Sequence, residues 1–564
     1  MRDRLKVLDT TLRDGMQTPK IGVDEWGRFV IAKALAYVGV DVIEAGFAAN
    51  EIDYPTLRRV SKYIGSRERS MLEHVPVICS LARLVKDDIE LAYDSIRLAD
   101  PDKRRIHVFI GTSKELMEYS HGKREKEIIG MIRDGVSIAR ELMGEHGTVE
   151  YSSEDALRTD YEFLAKTVEE AIRHGADVIN VPDTTGFARP DQYYDIIKKL
   201  REEVRGIENV TLSAHIHNDS GNAVATTLKG IEAGVRQVEG CVLQLGERAG
   251  NVDWLVVIEN LRVHEDFYGI DTNHIKTEKF FELAQLVSNV IGKPLPLNHP
   301  VSGEVAFTTS SGIHVKGVIK NRKTYHVIEP ESVGRGSEIV LGQTSGRNTV
   351  ANFLREHGYG EACIDYNAKQ LEELTRRAKK MSIKLGGSLS ETEAMLLAEE
   401  ILGGASPEDA VELIDYVVEG SKYDKPRVNA VVKVNENVVS SKGYGVGPVD
   451  AFMNAIKNAT GLEIELRNWE ENAIYRGMGA PGFEILDEIP FNEEERAFIE
   501  KGRNGKNNYM SKVSKGQEAW AKSRVEISYK GQSYFGRGVA QNILESTYNA
   551  IIDAVNAIVK LNRF

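Results

Sequence analysis

RLKVLDTTLRDGMQTPKIGVDEWGRFVIAKALAYVGVDVIEAGF, residues 4–47, decides the fold. It opens on an apolar, Thr-rich run (RLKVLDTT) and breaks at Arg13, Asp14 and Gly15. It resumes as an amphipathic stretch (DEWGRFVIAKALAYVG) and closes on a second apolar run (VDVIEAGF). Strand, helix and strand in that order imply parallel pairing through a crossover helix. The order recurs. VPVICSLA, RIHVFIGT, TVEYSS, ADVINVPD, TLSAHIHND and VEGCVLQLG complete eight strand candidates before residue 275, most followed by a helical pattern. Eight such units in that length predict one (β/α)8 barrel over residues 1–275. A doubly wound open sheet is the competing arrangement, and no Gly-rich dinucleotide loop follows a strand to support it.

Residues 276–405 read as helices around a Gly/Ser-rich arm, GEVAFTTSSGIHVKGVIKNRKTYHVIEPESVGR, expected to form linker subdomains. Residues 406–564 hold two copies of strand, strand, Gly turn and helix (PRVNAVVKVNENVVSSKGYGVGPVDAFMNAIKNATG and SRVEISYKGQSYFGRGVAQNILESTYNAIIDAVNAIV), which predicts a pseudo-symmetric α+β domain. The intervening FNEEERAFIEKGRNGKNNYMSK is so charged that it reads as a mobile loop.

With 564 residues, 41% apolar and 28% charged, the chain has the composition of a soluble globular protein. A net charge of −13 without a Lys/Arg run excludes nucleic acid and anionic membrane as main partners. No apolar run is long enough to span a bilayer, and MRDRLKVLD lacks the apolar core of a signal peptide. Cys79, Cys241 and Cys363 form no CxxC, so a disulfide framework is not expected and a reducing cytoplasm is.

In such a barrel, functional side chains gather at the C-terminal ends of the strands. Arg13-Asp14 follow the first, Ser152, Ser153 and Glu154 end the fifth, and Asp183-Thr184 end the sixth. The seventh carries His215-Ile216-His217, and the eighth runs into GERAGN with Asn251 last. On a strand, i and i+2 share a face, so His215 and His217 aim together, about 6–7 Å apart along the chain. An isolated HxH is more often a pair of hydrogen-bonded core histidines. Barrel closure changes that balance, because the first strand neighbours the eighth and brings Asp14, with Asn251, toward the same point. One carboxylate, two neutral imidazoles and an amide suit Mg²⁺, Mn²⁺ or Zn²⁺ acting as a Lewis acid. Arg13, fixed beside them, can stabilise a developing oxyanion. Glu154 is the candidate general base, against the alternative of a solvated acid capping the next helix.

LDTTLRDGMQ, VIEAGF, VEYSSEDALR, VINVPDTTGF, HIHNDSGNA, GERAGN, SGIHVKG and LGQTSGR together resemble the isopropylmalate synthase/homocitrate synthase family of metal-dependent TIM-barrel Claisen condensing enzymes. The two C-terminal copies resemble the halves of that family's allosteric domain. The resemblance implies that Asp14, His215 and His217 bind the metal with Asn251 near it. It makes Arg13 and Glu154 catalytic, gives Thr184 a contact to a 2-oxo acid carboxylate and His107 a place in the pocket. His314 and Tyr325 match residues that family members reach into the partner subunit's site, which implies a homodimer with arm exchange. The expected reaction joins acetyl-CoA to a 2-oxo acid, with Glu154 or a His314-linked group taking the acetyl proton and thioester hydrolysis making it irreversible. Within the family, Arg13-Asp14, GERAGN and the small Ser152 favour 3-methyl-2-oxobutanoate and leucine biosynthesis, with an amino-acid effector, leucine, at the C-terminal domain. Citramalate- or homocitrate-forming condensation, a lyase on the same barrel and a silent amino-acid sensor are the alternatives. Met16, FTTSSGIH and HNDSGNA depart from the family's usual residues and bear on which oxo acid is chosen.

Overall fold

The computed structural model describes residues 3–309, 311–336, 338–356, 368–385, 387–389, 391–402, 411–420, 425–435, 437–471, 485–499, 521–540 and 543–562. The chain divides into two units: 1–306 with 331–335 and 481–507, and 307–330 with 336–480 and 508–564.

The first unit is built on eight parallel strands closed into a barrel: β1 (Lys6–Asp9), β2 (Val42–Phe47), β3 (Val77–Arg83), β4 (Arg104–Gly111), β5 (Thr148–Glu154), β6 (Val178–Asn180), β7 (Thr211–His215) and β8 (Gln237–Gly240). Closure is made by β1, which pairs with β2 on one side and with β8 on the other, Leu8 standing opposite both Val42 and Glu239. A helix follows each strand: α1 (Glu25–Val38), α2 (Asp53–Tyr63), α3 (Lys86–Ile96), α4 (Glu125–Met143), α5 (Tyr161–Arg173), α6 (Pro190–Glu203), α7 (Ala223–Ala233) and α8 (Trp254–Val263). Their boundaries follow local chemistry. The Asp24 carboxylate accepts from Gly27 N and caps α1, Asp160 does the same for α5 through Phe163 N, and Gly39, with φ of 102°, ends α1 where a side chain would strike the His274 carbonyl. The strand interfaces are filled by Val7, Leu8, Ile43, Ile78, Ile106, Val149, Ile179 and Leu212, all buried.

Several strands are shorter than the apolar runs suggest at their C-terminal ends, β1 and β7 among them. β1 stops at Asp9, and Thr10–Asp14 form a turn closed by Arg13 N and Gly15 N on the Thr10 carbonyl, at 3.0 and 3.1 Å. β7 stops at His215; beyond it His217 is held by a bridge to Asn251 and by its N–H on the Asp183 carbonyl at 3.1 Å. After Gly240 the chain leaves the sheet with positive φ at Leu243 and Gln244. Polar side chains at the barrel mouth therefore ride on turns anchored to strands. α9 (Phe280–Ile291) completes the barrel side.

The second unit holds α10 (Gly312–Lys320), α11 (Arg347–Glu356), α12 (Ala368–Leu385) and α13 (Glu391–Leu402), the last three around Leu341, Val350, Phe353, Leu354, Leu371 and Leu374. Two repeats follow. β9 (Val411–Glu419), β10 (Arg427–Val434) and β11 (Asn437–Tyr444) precede α14 (Pro448–Thr460); β12 (Ile464–Glu471), β13 (Ala521–Tyr529) and β14 (Gln532–Ala540) precede α15 (Ile543–Asn562). Both sheets are antiparallel and share one core, where Phe452 and Tyr548 stack at 3.9 Å. The sequence reading gave the glycines of GYGVG to a turn. Gly443 instead lies within β11, where a Cβ would stand 2.0 Å from the Ala451 carbonyl oxygen, and Gly536 repeats the arrangement in β14 against Ala550. Glycine lets each helix lie directly on its sheet. The charged stretch read as a mobile loop is in part a helix, residues 493–499, and belongs to the first unit; its remainder from 500 lies outside the described residues. Cys79 and Cys241 are free and buried, and Cys363 lies outside the described residues. Among the described residues no helix is long and apolar enough to cross a membrane.

Gly443→Ala and Gly536→Ala each force a methyl group into a helix backbone, and overpacking of this kind costs about 1–3 kcal/mol. Each variant is expected to lower the unfolding temperature of the C-terminal repeats in calorimetry. An unchanged transition contradicts the close approach.

Candidate active site

Asp14, His215 and His217 meet at the mouth of the barrel. Asp14 Oδ2 lies 3.4 Å from His215 Nε2 and 3.6 Å from His217 Nε2, and the two Nε2 atoms are 3.2 Å apart. All three side chains are buried. Donor atoms at these spacings outline the face of a coordination polyhedron whose bonds are about 2.1 Å. Asn251 completes the group from the far end of GERAGN. Its Nδ2 donates to Asp14 Oδ2 at 2.6 Å and to Cys241 Sγ at 3.2 Å, and its Oδ1 is buried without a partner. The Nδ1 atoms of both histidines are likewise unpartnered, with Glu239 Oε2 3.7 Å from that of His215.

The electrostatics suit a cation. Burial pushes Asp14 up, but Arg13 and the two imidazoles outweigh it and hold the carboxyl well below the usual range, so it is ionised. Burial, reinforced by His215, lowers His217 to about 4, leaving a neutral imidazole able to ligate. An ionised carboxylate and two imidazole nitrogens converge here, with Arg13 Nη1 3.8 Å from Asp14 Oδ1 on the other side, and these residues fit a divalent metal.

Two other acid-histidine groups lie deeper in the barrel, Glu44–Cys79–His107 and His107–Glu150–Glu239. Their imidazole and carboxylates are bonded internally. His107 Nδ1 meets Glu44 Oε1 at 2.8 Å and its Nε2 meets Ser152 Oγ at 2.7 Å. Glu150 accepts from Arg105 Nη1 and Gln237 Nε2, and Glu239 accepts from the Ser213 hydroxyl. His107, common to both groups, has each ring nitrogen engaged and so offers a metal no free donor atom.

Arg13 is fixed by an acid the sequence reading overlooked. Its Nε donates to Glu44 Oε2 at 2.7 Å, and Glu44 also accepts from Thr10 Oγ1 at 2.7 Å and binds His107. Glu44 is fully buried; against that burial, Arg13 and His107 keep it ionised. One buried carboxylate thus sets both the guanidinium and the imidazole below it. The signal was a lone acid inside VIEAGF, on a strand otherwise apolar. With the His107 Nδ1 proton on Glu44, Nε2 accepts the Ser152 hydroxyl, whose oxygen accepts from Asn180 Nδ2 at 2.8 Å.

Glu154 ends β5, where burial and then the neighbouring Asp155 raise its carboxyl above the ordinary value. Arg13 is among the charges that act on it. Thr184 Oγ1 accepts from Asp155 N at 2.9 Å, so its own proton is free to donate outward. His314 and Tyr325 belong to the second unit, on α10 and just after Arg322–Thr324, with their rings 4.4 Å apart.

Glu44→Gln strands the Arg13 cation, and a buried charge that loses its partner costs about 3–5 kcal/mol. Because Glu44 titrates lower in the folded chain than its unfolded value of about 4.3, its contribution is complete above that pH and is lost as the pH falls. The stability difference between wild type and Glu44→Gln, read by urea titration, is expected to be full at pH 7 and to close below about pH 4. A difference that grows on acidification contradicts the assignment. His217→Ala is expected to weaken divalent-metal affinity at least tenfold by calorimetry; unaltered affinity contradicts the ligand set.

Three families match consecutive parts of the chain: HMGL-like over residues 4–287, homocitrate synthase post-HMGL domain-like over 301–384, and the LeuA allosteric (dimerisation) domain over 388–483 and 507–559. The 2-isopropylmalate synthase of Pyrococcus furiosus is 32% identical over 99% of this chain and 100% of its own length. That of Methanocaldococcus jannaschii is 36% identical over 91% and 96%. That of Acidimicrobium ferrooxidans is 33% identical over 98% and 96%. With its full length matched in this way, the chain belongs to the 2-isopropylmalate synthase family, whose barrel and C-terminal allosteric domain it carries in order.

Proposed function

We propose that the chain condenses acetyl-CoA with 3-methyl-2-oxobutanoate and hydrolyses the resulting thioester, the committed step of leucine biosynthesis. The observation that carries this reading is the convergence of Asp14, His215 and His217 beside a fixed arginine. These three ligands, with Asn251, would hold a divalent metal, which when bound supplies Lewis acidity at the substrate ketone.

The remaining work falls to the chain's own groups. The Thr184 hydroxyl, free to donate, binds the oxo acid's carboxylate. Ser152 is small and held by His107 and Asn180, so the side-chain pocket keeps room for an isopropyl group. Glu154, raised by burial, takes the methyl proton of acetyl-CoA. Arg13 cannot turn away, because Glu44 grips its Nε, so its remaining N–H groups meet the alkoxide that forms as the enolate attacks the ketone. The pre-set orientation is the catalytic gain, since no reorganisation is needed as charge develops. We assign His314 and Tyr325, donated by the partner subunit of a homodimer, to activating the water that hydrolyses the thioester. An amino-acid effector, leucine, binds the C-terminal repeats. The buried free thiols fit a cytoplasmic enzyme.

The test is kcat/KM for pyruvate, 2-oxobutanoate, 3-methyl-2-oxobutanoate and 2-oxoglutarate, following free CoA thiol. A preference of at least tenfold for 3-methyl-2-oxobutanoate is expected, since one or two methylenes are worth about 1–3 kcal/mol each. Preference for pyruvate or 2-oxoglutarate overturns the substrate, and no thiol release with any of the four overturns the reaction. Ser152→Phe is expected to raise KM for 3-methyl-2-oxobutanoate more than for pyruvate.

A further inference from the structure

The match to the allosteric domain has a hole in it, residues 484–506, and its described part, residues 485–499, folds with the barrel. The sheet they interrupt does not require them. In the first repeat, β9 connects to β10 through residues 420–426; in the second, β12 and β13, also antiparallel neighbours, are joined by residues 472–520. Adjacent antiparallel strands need only a short turn. The excursion therefore serves something other than the repeat.

What it reaches is one face of α1. Residues 485–499 bury Ile485, Leu486, Ile489 and Ile499 and meet Phe29, Lys33 and Tyr37, which lie at i, i+4 and i+8 of that helix. Lys33 is a fully buried ammonium, and Glu495, equally buried, holds it at 2.6 Å. Asn492 caps the segment by exchanging hydrogen bonds with Glu495, and its Nδ2 donates to the Arg69 carbonyl at 3.1 Å. Phe498 packs edge-on to Phe29 at 5.7 Å, with the Arg59 guanidinium 3.6 Å over its ring. Tyr37 donates to Glu488 at 3.0 Å, and Lys62 pairs with Glu494 at 2.9 Å. The barrel helix thus carries a charge that only this segment satisfies among the described residues.

The same helix supports the catalytic arginine. Arg28, beside Phe29, donates to the Leu12 carbonyl at 3.5 Å, one residue before Arg13. Arg28 Nη1 also binds Asp53 Oδ1 at 2.7 Å, while Asp53 Oδ2 accepts from Phe47 N at the end of β2, the strand that carries Glu44. Both sides of the Arg13–Glu44 pair are tied to α1.

We propose that residues 485–499 are a regulatory strap: docked on α1 they keep Arg13 in its working position, and effector binding to the C-terminal repeats, whose strands β12 and β13 flank the strap in sequence, releases them. The proposal rests on the effector reading given above. It requires two states of one element, docked and undocked, biased by the effector. Steric blocking of the barrel mouth is not involved; what changes is how firmly α1 supports the turn that carries Arg13.

The test uses the full-length, metal-loaded protein. Phe498→Ala and Glu495→Gln, singly and together, lie on the strap and leave the barrel's own packing and all site residues in place. Three readouts are taken: hydrogen exchange of the α1 amides, kcat, and half-inhibition by leucine, isoleucine or lysine, with effector binding measured separately by calorimetry. In the double variant α1 exchange is expected to rise at least tenfold and kcat to fall at least tenfold without effector. The effector is expected to bind with unchanged affinity and to inhibit no further. In the wild type the effector alone is expected to raise exchange in α1. The reversal Lys33→Glu with Glu495→Lys is expected to regain inhibition that Glu495→Lys alone loses. Inhibition of the wild type by one of the three amino acids, together with kcat and half-inhibition in the double variant within twofold of wild type despite fast α1 exchange, overturns the strap alone. No inhibition of the wild type by any of the three overturns the effector reading, and the strap with it.

Discussion

Barrel closure is the constraint on which the rest depends. The pairing of β1 with β8 brings residue 14 to residues 215, 217 and 251, and without it the ligand set does not exist. Closure alone would leave the turn after β1 free to swing. It is held because the Thr10 carbonyl closes the turn, because Thr11 Oγ1 accepts from Val242 N at 3.0 Å on the far side of the seam, and because Asp9 accepts from the Trp254 indole at 2.8 Å. Burial raises Asp9 to about 7. The barrel therefore carries a buried acid next to the seam, whose hydrogen bonds to Thr11 and Trp254 lock the turn that presents Arg13 and Asp14.

A second level of order lies beneath the metal ligands. Glu44 binds Arg13, Thr10 and His107; His107 binds Ser152; Ser152 binds Asn180, and Asn180 binds Glu239 at 3.2 Å. The chain of contacts runs from Arg13, to which the proposed reaction gives the developing charge, to Ser152, to which it gives the side-chain pocket. In a low-dielectric interior these bonds are strong and give the groups they join one geometry, although Asn180 Oδ1 is buried without a partner. Pre-organisation at the mouth is thus a property of the core below it.

Much of this was legible in the sequence. The alternation of apolar runs with amphipathic stretches gives the barrel, and HIH with an Asp-bearing turn gives the meeting of Asp14, His215 and His217, because both depend on short-range periodicity and on one assumption of closure. Glu44 was not legible. An acid inside VIEAGF has meaning only once Arg13, far off in sequence, is known to lie beside it. Strand ends were overextended because Thr10, Thr11 and Ile216 keep a strand-like pattern after the ladder has stopped. Gly443 and Gly536 read as turn residues because glycine signals a turn and a close approach equally well. Residues 491–499 read as a loop because charge dominates them, while their anchors, Glu495 and Phe498, are recognisable only against a partner face on α1.

The central claim is that Asp14, His215 and His217 share one divalent ion. X-ray absorption at the metal edge of Zn²⁺- or Mn²⁺-loaded protein measures this most directly. The account predicts an N/O first shell with the multiple-scattering signature of two imidazoles, reduced to one in His215→Ala. A first shell without imidazole, or one unchanged by that substitution, contradicts it.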